Sequence, residues 1–523
     1  MEGTFVSLLP PLAAILLCII LREAILSLFI GVFVGALILQ GFNPFSALFH
    51  SVDGLILNSL IDEDHLMNII FVVLIGGFVE IMNRSGYTRY WISALANVLR
   101  TRRNAGATIW ASGMLLFIDD YANSLIIGNG FRKLVDRVGI SREKLAFLVD
   151  TTSAPITSIM FISTWIGFEI STIQSVLDAK AIEGFSGYGL FFTSIPYRFY
   201  PILILFFCFW LVWSQRDFGP MRRAEEEAIR NGGPGFDEED SNASGVESPS
   251  LLTLFVFAPF AVLTLFTLVF LTYSGIRNGA LIDWNTPWAT MADIFNNADA
   301  YRSIVWATLL ASVMAYGIHL LLLRESFVKV YDAWLDGCKS MFPICMILTL
   351  AWSIGSVCTE LGTDAFVASI LGADFNPLYL PAATFICAAV ISFSTGTSFG
   401  TMSILIPIVM PLALPFSESN PEILNATVGS ILGGAIFGDH CSPISDTTIL
   451  SSAASGCTVT AHVNTQLPYA LTAAAVASIC LLTVNIAPAW TLNIAGMLAL
   501  VIIAYSVGRK PAGIVEQGSN LVG

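Results

Sequence analysis

The chain has 523 residues, of which 55% are hydrophobic and only 12% charged, with a mean hydropathy of +0.76 and a formal net charge of −14. About a quarter of the residues in an ordinary soluble domain are charged, so a cytosolic globule is excluded, and the negative balance excludes a nucleic-acid partner. Apolar runs of about 20 residues recur along the whole length and define an all-α polytopic membrane protein.

The first apolar run, residues 5 to 21, has no basic segment before it and no small-residue cleavage site after it, so it is expected to remain in the bilayer as a helix. Ordinary spans follow at 24 to 41 and 66 to 83. Residues 105 to 130 are apolar but interrupted by the cluster FIDDYANS, and 145 to 168 are split by Pro155 inside a Ser/Thr/Asp run. A span at 191 to 213 closes the first half, residues 1–213. Residues 214–250 are rich in Gly, Glu, Asp and Ser without apolar periodicity, and read as a cytoplasmic acidic linker. Residues 251–510 form the second half. It has ordinary spans at 251 to 273, 300 to 323, 340 to 361, 466 to 487 and 489 to 507, an interruption (FSTGTSFGT) within 382 to 413, and a split at Pro443 within 427 to 456. A short tail, 511–523, follows and is expected in the cytoplasm.

Short loops rich in Lys and Arg face the cytoplasm. The loop from Arg84 to Arg103, with Arg89, Arg100 and Arg102, and the loop from Arg132 to Lys144, with Lys133, Arg137 and Arg142, both qualify. The stretch between them must then enter and leave on one side, which makes 105 to 130 a re-entrant hairpin tipped by FIDDYANS. Around 382 to 413 only Asp374, Glu418 and Glu422 occur, so that stretch is the opposed hairpin, entering from outside. Gly86 and Phe117 match Gly362 and Phe393 at an offset of 276, and Pro155, Ile156 and Ser163 match Pro443, Ile444 and Ser451 at 288; the longer PFSESNPEILN connection absorbs the step. About 11 transmembrane helices, two of them broken, place the amino terminus outside and the carboxyl terminus inside, with the halves running in opposite directions. That is the inverted-repeat architecture of secondary transporters.

The breaks carry the chemistry. GDHCSPISDTTILSS places Asp439, His440, Ser442, Ser445, Asp446 and Thr447 in an otherwise apolar span. Pro443 cannot donate a backbone hydrogen bond, so the carbonyl of Asp439 is expected to be released. Carbonyls, hydroxyls and carboxylates at this density suit a hard cation, and Na+ is expected at Asp439, Ser442, Ser445 and Asp446. The counterpart DTTSAPITS brings Asp150, Thr151, Thr152, Ser153 and Thr157, and a second Na+ site is expected at Asp119, Asn123, Thr151 and Ser153. Asp119, Asp120 and Asn123 stand at the inner hairpin tip, and Thr395, Thr397 and Ser398 at the outer one. Isolated charges at membrane depth cost several kcal/mol, so these aspartates are assigned to ion or proton handling. Adjacent Asp119 and Asp120 cannot both face one site. His440 has two readings, a pH sensor or a hydrogen-bonded structural histidine. Glu80, Glu169, Glu360 and Asp364 lie near span ends, where a wet interface accounts for them. The nine cysteines show no metal-ligand spacing and read as small buried hydrophobes. Enzyme motifs such as GxxxxGK[ST], HExxH and GxSxG are missing, no cofactor is expected, and energy must come from an ion gradient.

GDHCSPISDTTILSSAASGC, with FIDDYANSLIIGNGF and LVDTTSAPITS, resembles the NhaC family of Na+/H+ antiporters within the ion transporter superfamily. The resemblance implies a homodimer in the cell inner membrane, each protomer having a scaffold and a transport domain that moves as an elevator. It leaves two readings of the cargo. In the first, a carboxylate among Asp439, Asp446 and Asp150 binds either Na+ or a proton, and the two are exchanged. In the second, the same fold couples Na+ to an amino acid or small organic acid held by Thr395, Thr397 and Asn123.

Overall fold

The computed structural model of the chain describes residues 4–21, 23–84, 101–182, 184–231, 251–282, 286–363, 366, 376–417 and 420–512. Arg89, Arg100, Gly86, Trp91, Asp364, Asp374 and Glu418, residues 232–250 of the linker and most of the tail lie outside them. Among the described residues the chain is helical, and its one strand-like pairing is an isolated antiparallel bridge between Asp217 and Arg509.

The main helices in the first half are α1 (Leu9–Leu21), α2 (Ala24–Leu39), α3 (Glu63–Arg84), α4 (Arg102–Leu115), α5 (Asp120–Val138), α6 (Arg142–Thr151), α7 (Ile166–Ala179), α8 (Gly187–Ser194) and α9 (Phe199–Ser214). Then come α10 (Gly219–Asn231), α11 (Leu251–Arg277), α12 (Ala300–Gly317), α13 (Phe327–Ser340), α14 (Phe342–Glu360), α15 (Leu380–Thr395), α16 (Ser398–Ala413), α17 (Pro421–Cys441), α18 (Asp446–Ser455), α19 (Val459–Leu482) and α20 (Ala489–Ser506). A hairpin followed by a broken helix occurs once in each half: α4–α5 then α6, and α15–α16 then α17–α18.

Among the described residues eight helical segments are long and apolar enough to cross a membrane, nine if Gly187–Tyr197 and Phe199–Ser214 form one span bent by 48°. The helices that meet this length and composition among the described residues are fewer than the expected 11 or so for identifiable reasons. Phe5–Cys18 and Ala24–Leu39 are apolar but short, because the Glu23 carboxylate caps α2 by accepting from the backbone N–H groups of Ile25 and Leu26 and so fixes a chain break there. The span expected to be ordinary at 191 to 213 is broken instead. Pro196 sits in a 3₁₀ turn over Ile195–Tyr197, and Arg198 leaves the helical region at φ −79°, ψ 60°. The two hairpins differ as well. α4, with 14 residues, is about 21 Å long and falls short of a bilayer core of about 30 Å. The limbs of the second hairpin, Pro377–Thr395 and Ser398–Phe416, each have 19 residues and could each cross.

Residues 219–231, expected in a structureless linker, are helical: α10 buries Met221 and Glu225. Its buried face is one turn of alternating apolar and charged side chains, and Glu225 is held by Arg102 and by the backbone N–H of Ser141 at 2.7 Å. Met221, Ala224, Ala228 and Ile229 share the face that carries Glu225, an amphipathic pattern that the charged residues around it mask in the composition.

Close backbone approaches position the broken helices. A Cβ at Gly438 would lie 2.4 Å from Phe393 N, and one at Gly434 2.6 Å from Phe385 O, so α17 lies directly against α15. A Cβ at Gly128 would lie 2.6 Å from that of Ala454, which seats α5 of the first half on α18 of the second. Each half thereby supplies walls to the other's break.

Candidate functional site

Asp439 lies in the last turn of α17, three residues before the chain leaves helical geometry at Ser442 (ψ 130°). Its carboxylate is almost wholly buried and is met by hydroxyls from two directions. Ser398 Oγ, at the start of α16, donates to Oδ2 at 2.9 Å, and Ser445 Oγ, beyond Pro443, donates to Oδ1 at 2.7 Å. Thr447 Oγ1 stands 3.0 Å from Ser445 Oγ and widens this patch of hard oxygen. Among the described residues no Lys, Arg or His pairs with Asp439. The carbonyl of Asp439, expected to be free, is re-satisfied by Ser442 N at 3.2 Å and Thr448 Oγ1 at 3.3 Å. Pro443 thus redirects that bond to a side chain of the next helix instead of leaving it open.

Asp150 ends α6 in the other half and is fully buried in a different setting. Oδ2 accepts from Gln466 Nε2 at 2.8 Å and faces His462 Nε2 at 3.1 Å, both on α19, while Ser451 Oγ and Thr448 Oγ1 of α18 approach at 3.4 and 3.5 Å. Thr448 touches both aspartates' surroundings and is the shortest link between them.

His440 joins the two breaks. Its Nδ1 is 2.7 Å from Tyr200 Oη and its Nε2 3.1 Å from Thr151 Oγ1, and its backbone carbonyl accepts from Gln466 Nε2. Both ring nitrogens are engaged and the side chain is fully buried. Asn123, from the hairpin tip, donates to the carbonyls of Gly113 at 2.8 Å and of Thr152. It ties α4 and α5 to the end of α6, and its Oδ1 has no partner among the described residues.

The other expected residues separate into groups. Asp446 is exposed at the start of α18, 3.5 Å from Tyr121 Oη, and does not join Asp439 and Ser445. The break between them removes the helical register that would have put both aspartates on one face. Asp119 caps α5 by accepting from Ala122 N at 2.7 Å, while Asp120 is buried beside it with Oδ1 unpartnered among the described residues. Thr152, Ser153 and Thr157 donate to nearby backbone carbonyls of their own segment, those of Leu148, Asp150 and Ser153. Thr395 Oγ1 reaches Ser392 O at 3.5 Å, Thr397 caps α16, and Ser442 Oγ accepts from Ile444 N at 3.4 Å. The expected second cation set is not gathered on one point: Thr151 turns to His440, Ser153 to Asp150 O, and Asn123 to carbonyls. Among the described residues no group of three or more His, Cys, Asp or Glu could hold a metal ion.

Four residues escaped the sequence reading. His462 and Gln466, four apart on an apolar helix, carried the signal of a shared face. Tyr200 carried none. Glu169, expected at a wet interface, is fully buried, and so is its partner Arg198, whose Nη1 donates to Oε2 at 2.9 Å. The same guanidinium donates to the carbonyls of Ser158 and Phe191 and lies over the Phe191 ring at 4.3 Å. A lone arginine inside an apolar run at membrane depth was the missed signal, since such a charge needs a buried partner.

The model of the Na+/H+ antiporter family matches residues 156–486. A Haemophilus influenzae protein described only as uncharacterized is 30% identical over 518 residues, 96% of this chain and 95% of its own. Two relatives share a shorter stretch. An uncharacterized Na+/H+ antiporter of Haemophilus influenzae is 27% identical over 155 residues (30% of this chain, 32% of that one), and the malate-2H+/Na+-lactate antiporter of Bacillus subtilis is 32% identical over 152 residues (28% and 30%). Among solved structures, Neisseria gonorrhoeae MtrF superposes with a TM-score of 0.54 at 13% identity, covering 84% of both chains. The Alcanivorax borkumensis YdaH transporter gives 0.53 at 13% identity, covering 84% and 88%, and both likenesses are of fold. With a family match over more than half of its length and a helical transporter fold, this chain belongs to the Na+/H+ antiporter family of membrane-embedded secondary transporters.

Proposed function

We propose that the protein exchanges Na+ for H+ across the cell inner membrane, with Asp439 as the group that carries one or the other. The observation that carries this reading is the character of the Asp439 surroundings: both carboxylate oxygens are met by hydroxyls, and no fixed cation among the described residues neutralises it. A buried carboxylate is unfavourable as a bare anion, so it takes up either a proton or a metal cation. Ser398, Ser445 and Thr447 can turn their oxygens toward Na+, which accepts hard donors with little demand on geometry. The end of α17 adds the negative pole of its helix dipole. The two hairpins and the broken helices form one packed unit, which supports an elevator-type movement of that unit against the remaining helices in a homodimer, with the amino terminus outside and the carboxyl terminus in the cytoplasm.

The test uses purified protein in liposomes with an imposed Na+ gradient and a lumenal pH dye, and no organic solute. Proton movement on addition of Na+ is the expected result. A second reading, Na+-coupled movement of an amino acid or small organic acid, draws on the Bacillus subtilis relative, whose name includes malate and lactate. A dye that stays silent until such a solute is added, with labelled solute accumulating against its gradient, overturns exchange of Na+ for H+ in favour of that reading.

A further inference from the structure

The break in the first half stays open for longer than the break in the second. After the short helix Ala154–Thr157 the chain runs through turns and bends over 158–165 before α7 begins at Ile166. The residues matched to that stretch by the offset of 288 begin α18 and are helical. At membrane depth no water is at hand to pair the backbone groups of such a segment, so the protein must supply the partners. Three of them come from outside it. Arg198 Nη1, at the bend between α8 and α9, donates to Ser158 O. Tyr188 Oη of α8 donates to Phe161 O at 2.9 Å, and Thr164 N donates at 2.8 Å to Ile118 O, in the tip of the first hairpin.

Arg198 reaches both ends of the segment. The nitrogen that donates to Ser158 O also donates at 2.9 Å to Oε2 of Glu169, in the first turn of α7. One atom thus ties the first residue of the unwound chain to the helix that follows it. The other nitrogen of the fork, Nη2, donates to Phe191 O at 3.2 Å and Ser194 Oγ at 3.3 Å, which anchors the guanidinium on α8. Ser158, Glu169 and Arg198 are all buried. The far end of the segment bears on the second hairpin: the Trp165 and Phe168 rings enclose that of Phe399, each with its centroid 4.7 Å away. Phe399 follows Ser398, the residue whose hydroxyl donates to Asp439 Oδ2, and Phe168 adjoins Glu169.

Stability alone does not call for this pair, since apolar residues of similar volume often serve as well as a buried ion pair or better. They cannot, however, donate to a backbone carbonyl. We infer that Arg198 is a positioning residue, a tethered cation that clasps the unwound segment at both ends so that Trp165 and Phe168 seat Phe399 and thereby hold Ser398 against Asp439. The inference rests on the reading of Asp439 as the ion-carrying group, and adds the residue that places one of its hydroxyls.

Variants in proteoliposomes test the clasp. Glu169→Leu combined with Arg198→Leu removes both charges together and fills their space. Its thermal midpoint is expected within a few degrees of wild type, while the KM for Na+ rises about tenfold and the maximal rate changes by less than about twofold. A pair that serves stability alone predicts the wild-type KM. Arg198→Lys keeps one nitrogen able to donate to Ser158 O and Glu169 together, and is expected to hold the KM within about twofold of wild type. A stable double variant with the wild-type KM, or Arg198→Lys with a KM as high as that of the double variant, overturns the inference. If the double variant does not fold, Phe399→Ala decides. It leaves the clasp intact and empties the seat, so the same rise in KM is expected, and a wild-type value overturns the inference. The KM is read on whatever Na+-dependent flux the protein shows, so failure of Na+/H+ exchange itself would be seen separately, in the pH-dye assay.

Discussion

The two buried aspartates at the broken helices invite comparison because they stand one position apart in the repeat, Asp150 five residues before Pro155 and Asp439 four before Pro443, and are treated in opposite ways. Asp439 is met by serine hydroxyls, while Asp150 is met by the carboxamide of Gln466 and the imidazole of His462. A hydroxyl is both donor and acceptor and can rotate to present its oxygen to a cation. The amide N–H aimed at Asp150 donates only, and Gln466 is further committed to the carbonyl of His440. The first arrangement can exchange its partner, whereas the second fixes a carboxylate in place. On the proposed function, two halves built from one motif divide the work, one break handling the ion and the other holding α6, α18 and α19 together.

The largest effect that sharpens this contrast is expected from Asp439→Asn. The amide keeps a hydrogen-bonding shape but carries no charge, so neither Na+ nor a proton is held. Transport in proteoliposomes should fall at least about a thousandfold, equivalent to roughly 4 kcal/mol, while the purified protein stays monodisperse. Normal Na+-driven proton flux in this variant would remove Asp439 from the mechanism.

Asp150→Asn should act on stability first. Two donors lose their anionic acceptor in a region with no solvent, at a cost of about 1–3 kcal/mol, and the thermal midpoint should drop by several degrees. The apparent KM for Na+ of the folded protein should stay within about twofold of wild type, a change worth under about 0.5 kcal/mol. A large rise in KM without loss of stability would reverse the assignment and make Asp150 the ion site.

Next in size is a matched pair of serines. Ser445→Ala removes a donor at 2.7 Å from Asp439 and should raise the KM for Na+ by about tenfold, or ~1.4 kcal/mol, with the maximal rate little changed. Ser451→Ala removes a contact of 3.4 Å to Asp150 and should leave that KM unaltered. Equal effects from the two serines would erase the distinction between the breaks.

The contrast also shows what the sequence made legible. Pro443 and Pro155 located both breaks because each stands in a polar run whose hydroxyls can take up the freed backbone groups, whereas Pro259, Pro407, Pro411 and Pro468 lie within apolar helices that continue through them, and the Lys/Arg loops located the first hairpin. Which aspartate does what was not legible. It depends on α19, whose His462 and Gln466 lie far from either motif in sequence, and on the loss of helical register at Pro443, which sends Asp446 to the surface. α10 and the Glu169–Arg198 pair were missed for a related reason: their charges are buried by partners more than twenty residues away, and composition alone reads charge as exposure.

The smallest expected effect concerns the bridge between the two breaks. Tyr200 Oη and Thr151 Oγ1 hold the His440 ring from both sides, one from α9 and one from α6, so His440 sets the distance between the end of α17 and the end of α6. Tyr200→Phe removes one of these bonds and keeps the ring that packs edge-on against Phe437 at 5.1 Å. The loss should be about 1 kcal/mol or less in stability, a shift of a few degrees in thermal midpoint. If the bridge only braces the protein, the pH dependence of transport keeps its shape. If the profile moves along the pH axis while the midpoint stays put, His440 takes part in proton handling, and the division of labour between the two breaks has to include the residue that joins them.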